Sequence, residues 1–364
     1  MTIEAAIISF VVICFCFVVA NLLLFPRNNR LERKIQKQQQ ELTETIHEYL
    51  ESQTQSPDSK KEAALIDLHK KQLRQSYVLV AYVAALKQAF KSTDSQKIRQ
   101  YLQLVAPLFS ELCATYEKKH DVYMTCFVYV LGQMFRFGME PDARLREFLF
   151  AQLHSKSFIC QQNAFSAICG TQDVQWVVKA VLYMNRRFGT YNNTYITEGL
   201  YRFAGDTEEL ADCLWEVFEN LNNNFRLAVL NYLRLTSGRF GKEMLLLLED
   251  AEADRELHYS AIRYLGRYPF ADAKPLLIRL LEKSDGESWV YAVESARSLG
   301  EYPGEDTFQI LKQSLFRPEW YVRLNASASL EKLGIDYLKL SDIINSNDRF
   351  AREIAQYRLE KGGF

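Results

Sequence analysis

The stretch "SARSLGEYPGED", residues 295–306, decides the fold because an earlier part of the chain repeats it as "AIRYLGRYPFAD", residues 261–272. Both copies place a Leu-Gly pair and then Tyr-Pro after an apolar helical pattern. A third Leu-Gly pair occurs in "SLEKLG", residues 329–334. The glycines of the three copies follow one another at intervals of 34 residues: Gly266, Gly300 and Gly334. A fixed interval of this length predicts a repeat architecture.

Each copy has the pattern of a helical hairpin. In "WYVRLNASASLEKLG", residues 320–334, small and apolar residues recur on one face of a helix that ends at the glycine. Glycine suits the left-handed backbone position that closes a helix, which predicts that conformation at all three glycines. After the first two glycines, an acidic turn leads into a second helix at residues 272–284 and 305–316. One hairpin cannot bury its apolar face alone, so the hairpins are predicted to stack around a shared core.

The composition suits helices throughout the body of the chain. The 364 residues include 15 glycines and 8 prolines, and no alternating strand pattern bounded by turn residues is present. The sequence therefore predicts an all-α protein whose repeats occupy residues 155–364 and end in a capping helix at residues 346–362. Residues 62–154 are predicted to form the helical N-terminal part of this α-solenoid, either as further repeats or as a separate cap.

A family resemblance rests on the last of these repeats. Its first helix carries Val-Arg, then Ala, then Leu-Gly, and it resembles the first helix of the short bacterial HEAT repeat. In the preceding repeat, Ser288 and Trp289 replace the Val-Arg pair. The resemblance implies a HEAT-like α-solenoid. It also implies a structural role for the residues that carry the signature: Gly266, Gly300, Val322, Arg323, Ala326, Leu333 and Gly334.

The N-terminus has the pattern of a membrane anchor. Residues 5–25, "AAIISFVVICFCFVVANLLLF", run for 21 positions without a charge. A helix of that length spans about 30 Å, the thickness of a bilayer hydrocarbon core. Five basic residues follow Pro26, against the single acid Glu32: Arg27, Arg30, Arg33, Lys34 and Lys37. Because positive charge marks the cytoplasmic side, residues 1–26 are predicted to be a single-span anchor in the cell membrane, with the N-terminus outside and the bulk of the chain in the cytoplasm.

A cleaved signal peptide is the alternative for this segment. It would need a basic start, a shorter apolar run and a small-residue cleavage site. The segment before residue 5 contains no Lys or Arg, and "LLLFPRNN", residues 22–29, contains no such site. An uncleaved span is therefore the favoured prediction.

Residues 27–61 are predicted to be a polar helical stalk followed by a linker. A thin apolar stripe recurs at three-, four- and seven-residue steps among Glu, Gln and Lys: Leu31, Ile35, Leu42, Ile46, Tyr49 and Leu50. Pro57 and its Ser and Asp neighbours then break the helix. The stripe is too weak to decide whether two stalks pair as a coiled coil, so self-association stays open.

Charge and motifs disfavour catalysis and nucleic-acid binding. The chain has 44 basic and 45 acidic residues, a net charge of −1, whereas nucleic-acid binders usually carry a basic excess. No GxGxxG, GxxxxGK[ST], HExxH, GxSxG or CxxC motif occurs, and the five histidines are scattered. His258 lies on an apolar stripe and is predicted to be an interior side chain. The sequence predicts no catalytic residue, no metal site and no cofactor.

Three groups of residues are candidates for contact with a protein partner, because Tyr, Trp and Arg dominate interface hot spots. One hairpin turn is dense in aromatic and arginine side chains: Tyr183, Arg186, Arg187 and Tyr191. Trp320 opens the helix that carries the HEAT signature. By the resemblance, second helices line the inner surface of the solenoid, where Arg279 and Lys312 would offer positive charge to an acidic partner. The alternative for each group is inter-repeat core or solvated surface.

The whole arrangement, one span followed by a cytoplasmic HEAT body, resembles membrane-anchored HEAT-repeat proteins of Gram-positive bacteria. The resemblance implies a non-enzymatic scaffold that binds a protein partner at the cytoplasmic face of the membrane. A membrane glycosyltransferase or the envelope-synthesis machinery is the candidate partner. Two alternatives stay open: a HEAT-like enzyme of the lyase or nucleic-acid-repair type, and a purely structural oligomeric spacer.

Overall fold

The computed structural model of the protein describes residues 30–52, 59–187, 192–283, 286–334 and 337–362. Every regular element within these ranges is a helix, which confirms the predicted all-α class. The chain divides after Gln172 into two compact units, which we call unit 1 and unit 2.

Unit 1 contains seven α-helices within the described residues. They are α1 (30–52), α2 (Ser59–Gln72), α3 (Ser76–Ala89), α4 (Ser95–Tyr116), α5 (Asp121–Arg136), α6 (Ala143–Gln152) and α7 (Phe158–Cys169).

The helices of unit 1 stack as successive hairpins. In one layer α3 packs on α5 and α5 on α7, and in the other α2 packs on α4 and α4 on α6. Aromatic side chains fill the space between the layers, and the rings of Tyr116 and Phe127 stack 4.4 Å apart. Residues 62–154, which the sequence could not assign to further repeats or to a separate cap, thus also form helical hairpins.

The helix predicted as a stalk is present as α1, but its C-terminal half packs against the other helices of unit 1. Leu42, Ile46 and Leu50 on its apolar stripe are buried, whereas Leu31 near its start is exposed. The Tyr49 ring lies 5.7 Å from the ring of Tyr101 on α4. The stripe is therefore the face by which α1 joins the core of unit 1.

The predicted membrane span, residues 5–25, lies outside the described residues. Within the described ranges, no helix combines the length and the apolar character that a bilayer crossing requires.

Unit 2 contains twelve α-helices within the described residues. They are α8 (Val174–Arg187), α9 (Asn193–Leu200), α10 (Thr207–Glu216), α11 (Asn223–Thr236), α12 (Gly241–Glu249), α13 (Arg255–Leu265), α14 (Lys274–Lys283), α15 (Trp289–Ser298), α16 (Glu305–Gln313), α17 (Trp320–Lys332), α18 (Ser341–Ile344) and α19 (Arg349–Gly362). Short 3-10 turns lie between several of them, such as Leu299–Glu301 and Ser314–Phe316.

Unit 2 has two layers because its helices alternate between the first and second positions of the hairpins. Helices α9, α11, α13, α15, α17 and α19 pack side by side in chain order and form the first-helix layer. Helices α8, α10, α12, α14, α16 and α18 alternate with them along the chain, and we call these six the second-helix layer; α8 packs on α10 and α14 on α16. Val322 and Ala326 of the signature are fully buried in this arrangement. The structure thus contains many helical hairpins, and α19 lies within the segment predicted to form the terminal helix.

The repeat glycines have two different structural roles. Gly334 has a φ of +69°, the left-handed conformation that was predicted for all three. The prediction is wrong for Gly266, whose φ is −74°, and for Gly300, which lies in a right-handed 3-10 turn. A β-carbon on Gly266 would lie 2.4 Å from Ser298 Oγ, and one on Gly300 would lie 2.8 Å from Ser329 Oγ. These two glycines are required by the close approach of the next first helix.

In two successive repeats, a tyrosine hydroxyl forms hydrogen bonds with backbone groups of the preceding repeat. The Tyr264 hydroxyl accepts a hydrogen bond from the Phe240 backbone N–H at 2.9 Å and donates to the Ser237 carbonyl at 2.7 Å. The Tyr302 hydroxyl donates to the Leu265 carbonyl at 2.8 Å, in the next repeat. These bonds satisfy backbone groups that would otherwise be buried without partners.

Arg323, one of the residues that carry the resemblance to the HEAT repeat, hydrogen-bonds to the turn that precedes its own helix. Its Nη1 donates to the carbonyl oxygens of Arg317 at 2.6 Å and Pro318 at 3.3 Å. Arg226 in α11 makes the equivalent bond, from Nε to the Leu221 carbonyl at 2.9 Å. The arginine of the signature therefore acts as a charged hydrogen-bond donor to loop carbonyls, as its structural role implied.

Candidate protein-interaction surface

Four aromatic side chains at the start of three neighbouring first helices form the candidate surface. Trp289 is the first residue of α15, Trp320 and Tyr321 are the first two of α17, and Phe350 is the second of α19. We call them the aromatic strip. Trp320, Tyr321 and Phe350 are 51%, 56% and 57% exposed, and Trp289 is half-buried. Exposed apolar side chains that adjoin one another commonly mark sites of protein contact.

Specific contacts hold the strip together. The rings of Trp289 and Tyr321 stack with their centroids 6.0 Å apart and an interplanar angle of 24°. The guanidinium of Arg323 lies 5.8 Å from the Trp320 ring centroid and 5.0 Å from that of Phe350. One buried arginine thus supports two exposed rings through cation–π contacts while its other bonds fix it to the loop.

An ion pair borders the strip on the loop before α17. Arg317 Nε lies 3.1 Å from Glu319 Oε2. Desolvation opposes ionisation of Glu319, but the hydrogen bond from Arg317 and the charge of Arg323 leave its pKa below the ordinary value. The Glu319 carboxylate therefore stays charged. Its ion pair with Arg317 orients the loop that precedes Trp320.

The hairpin turn predicted to bind a partner is only partly described. Tyr183 is half-buried on α8, and Arg186 and Arg187 are exposed in its last turn. Tyr191 lies outside the described residues. Binding at this turn stays a prediction that rests on the two exposed guanidinium groups.

The second-helix layer does not offer the free positive charge that the sequence suggested at Lys312. Its Nζ lies 2.7 Å from the Asp342 carboxylate, and Lys274 pairs in the same way with Asp306 at 2.6 Å. The hydrogen bonds from these lysines lower the pKa of both aspartates. Arg279 on α14 is exposed. Both lysines therefore connect successive second helices within the fold.

Of the residues predicted to bind a partner, Trp320 is the one that lies in the aromatic strip. It belongs to the first-helix layer, whereas Arg279 and Lys312 belong to the second-helix layer. Trp289 and Phe350 were not among the residues predicted to bind a partner. A signal was available, because Trp289 and Trp320 both begin the first helix of a repeat. Residues at the same repeat position become neighbours when hairpins stack.

The interior contains cysteine and histidine side chains that could in principle take part in catalysis or metal binding. Burial raises the pKa of Cys113 to about 12 and raises the pKa of Cys126 and Cys160 as well, so these thiols are poor nucleophiles at neutral pH. His258 is buried, as predicted, with Nδ1 2.8 Å from the Tyr291 hydroxyl and Nε2 2.9 Å from the Asp250 carbonyl. Within the described ranges, no cluster of His, Cys, Asp and Glu could hold a metal ion.

Part of unit 2 is similar in sequence to HEAT repeats. Residues 242–331, from α12 to α17, match the HEAT repeats family. No curated protein sequence matches the chain. Among solved structures, the crystal structure of an engineered protein is 13% identical in sequence. It aligns with 88% of this chain and 99% of its own, with a TM-score of 0.35. The matched HEAT segment contains Trp289, Trp320 and Tyr321 of the aromatic strip.

Proposed function

We propose that this protein is a non-enzymatic scaffold whose helical repeats bind a protein partner through the aromatic strip. HEAT repeats commonly mediate protein–protein interaction, and the matched segment contains most of the strip. The carrying observation is the row of exposed rings at Trp320, Tyr321 and Phe350. Large aromatic side chains at the centre of an interface contribute most of its binding free energy.

The proposal includes a membrane location, which rests on the sequence of residues 5–25 and the basic segment that follows. A single span would hold the repeats at the cytoplasmic face, where a membrane-bound partner is confined to the same two dimensions. Confinement raises effective concentration, so a modest interface suffices. By the resemblance to membrane-anchored bacterial HEAT-repeat proteins, a membrane glycosyltransferase or the envelope-synthesis machinery is the proposed partner.

The binding proposal is tested with the double variant Trp320→Ala/Tyr321→Ala. The full chain is used as bait in detergent extracts, and the retained proteins are compared with those retained by wild type. Tyr123→Ala is the matched control, because Tyr123 is similarly exposed but belongs to unit 1. We expect one and the same protein to be retained by wild type and the control and lost by the double variant. Equal retention by all three baits would refute the role of the strip.

The location is tested separately by alkaline carbonate washing of membranes that contain the full chain. We expect the protein to remain in the membrane pellet, because an uncharged helix of 21 residues is stable in hydrocarbon. Release into the supernatant would refute the anchor without affecting the binding test.

A further inference from the structure

Arginines cluster at the opposite end of the first-helix layer from the aromatic strip. Arg234, Arg263 and Arg297 lie in the last turns of α11, α13 and α15, three helices that pack side by side. Arg267 lies two residues beyond the end of α13. We call these four residues the arginine column. Stacking of the hairpins aligns one repeat position across neighbouring helices, so their guanidinium groups share one surface.

The column is electrostatically strained at Arg234. Desolvation lowers the pKa of Arg234, and the charges of Arg263, Arg267 and Arg297 lower it further, while Tyr201 raises it. The Nε of Arg234 is inaccessible to solvent and has no hydrogen-bond partner. A buried donor without a partner and like charges without a counterion are both unfavourable. An anion bound at the column would relieve the repulsion between the like charges.

Among the residues that the structure describes, Glu294 is the carboxylate that pairs with the column, and this pairing leaves most of the positive charge in place. Glu294 Oε1 accepts hydrogen bonds from Nε of Arg263 at 2.9 Å and from its Nη2 at 2.6 Å. Arg267 and Arg297 are exposed. Glu294 therefore pairs with one of the four guanidinium groups, that of Arg263.

The arrangement differs from the neighbouring repeat contacts. In the last turn of α17, by contrast, Glu331 pairs with Arg358 of α19 at 3.2 Å. In the second-helix layer, Lys274 pairs with Asp306 across successive repeats. The fold thus neutralises cations at other repeat contacts. The positive column is confined to three helices.

We propose that the arginine column binds an acidic, extended segment of a protein partner, with carboxylates at every third residue. Packed helices lie about 8–10 Å apart, and three residues of extended or polyproline II chain cover about the same distance. Carboxylates spaced in this way could each receive a bidentate guanidinium contact. This inference rests on the proposed scaffold function and deepens it by naming the chemistry of the partner.

Two other polyanions are disfavoured as ligands. A nucleic-acid site usually has a long basic surface and a basic excess, whereas this column spans three helices of a chain with net charge −1. An anionic membrane surface attracts any nearby cluster of basic residues through its charge, whatever the spacing of those residues. The column is short, and the separation of its helices matches three residues of extended chain, so an acidic protein segment is the favoured ligand.

The test measures binding of a fluorescein-labelled peptide, four repeats of Glu-Pro-Ala, to the full chain in detergent by fluorescence anisotropy. The variant is Arg234→Gln/Arg297→Gln. The matched control is Arg74→Gln/Arg99→Gln, which removes two exposed arginines of unit 1. We expect the variant to weaken binding by about tenfold or more, the control to stay within about twofold, and a Gln-Pro-Ala peptide not to bind. Binding should also weaken as salt rises.

The inference is overturned if wild type does not bind the Glu-Pro-Ala peptide or if the variant binds it as well as wild type does. It is also overturned if a single-stranded oligonucleotide or phosphatidylserine in mixed detergent micelles displaces the peptide at lower charge concentration than unlabelled peptide does. Thermal unfolding shows whether the variant is folded, and peptide should raise the melting temperature of wild type but not of the variant. Trp320→Ala/Tyr321→Ala should still bind the peptide, so loss of partner capture and loss of peptide binding are separate results.

Discussion

The side chain of Ser298 closes over Gly266 of the preceding repeat. Its Oγ donates a hydrogen bond to the Ile262 carbonyl at 2.9 Å, and a β-carbon on Gly266 would lie 2.4 Å from that same oxygen. Ser329 occupies the equivalent place over Gly300 and donates to the Ala296 carbonyl at 2.7 Å. The regular spacing of the glycines is thus a condition for stacking, because each one admits the next first helix.

Gly266→Ala is expected to destabilise unit 2 by about 1–3 kcal/mol, the usual cost of overpacking a tight contact. The added methyl group meets Ser298 Oγ and also the Ser298 Cα at 3.0 Å, so a rotamer change cannot relieve the overlap. Urea unfolding measures the loss. Ser298→Gly in the Gly266→Ala background should recover part of it, since it removes the side-chain atoms involved; an additive second loss would contradict the contact.

Arg323→Ala is expected to reduce the free energy of unfolding by about 2–3 kcal/mol, because two loop carbonyls lose a charged donor. Arg279→Ala is the control, since Arg279 is exposed and such substitutions usually change stability by at most about 0.5 kcal/mol. Both values come from urea unfolding. Equal effects of the two substitutions would show that the contacts of Arg323 contribute nothing.

Acid is expected to destabilise unit 1 through His69. The side chain is fully buried with Nε2 3.0 Å from the Tyr101 hydroxyl, and burial lowers its pKa from 6.5 to about 4. The fold therefore holds the neutral form, and its contribution is fully present above pH 6.5. It is lost as pH falls from 6.5 through 4, to a total of about 3 kcal/mol.

The measurement for His69 compares urea unfolding at several values between pH 7 and pH 4.5 for wild type, His69→Gln and His47→Gln. Other carboxylates also titrate at the lower end, so the difference between variants carries the information. His69→Gln should show a shallower loss of stability than wild type. His47 is exposed, so its variant should follow wild type. Parallel curves for all three proteins would exclude a contribution from His69.

Arg234→Met is expected to stabilise unit 2 by about 0.5–1 kcal/mol, a common gain when an unfavourable charge is removed. The substitution keeps an unbranched side chain against α13 while it removes the unpartnered Nε and the repulsion from Arg263 and Arg297. The gain should shrink at high salt, where the exposed charges are screened. A loss of stability at both salt concentrations would mean that Arg234 makes a favourable contact in the fold.

The sequence by itself determined the local structure of unit 2. The second helices predicted at residues 272–284 and 305–316 are α14, Lys274–Lys283, and α16, Glu305–Gln313. Helical periodicity, capping side chains and turn residues act over a few neighbouring positions, so they can be read without knowing the fold. Asn222, whose Oδ1 accepts the Phe225 backbone N–H at 3.3 Å, is a local cap of this kind.

The tertiary structure alone decided which residues face one another one repeat apart. It gave Gly266 a steric role in place of a left-handed turn, paired Lys312 with Asp342 and buried the stripe of α1 at Leu42 and Ile46. It also assembled the aromatic strip from side chains of three helices and, at the other end of the layer, the arginine column from side chains in or just beyond three helices. These contacts depend on the register of stacked hairpins, and that register is set by how whole helices pack rather than by any property of the adjoining residues.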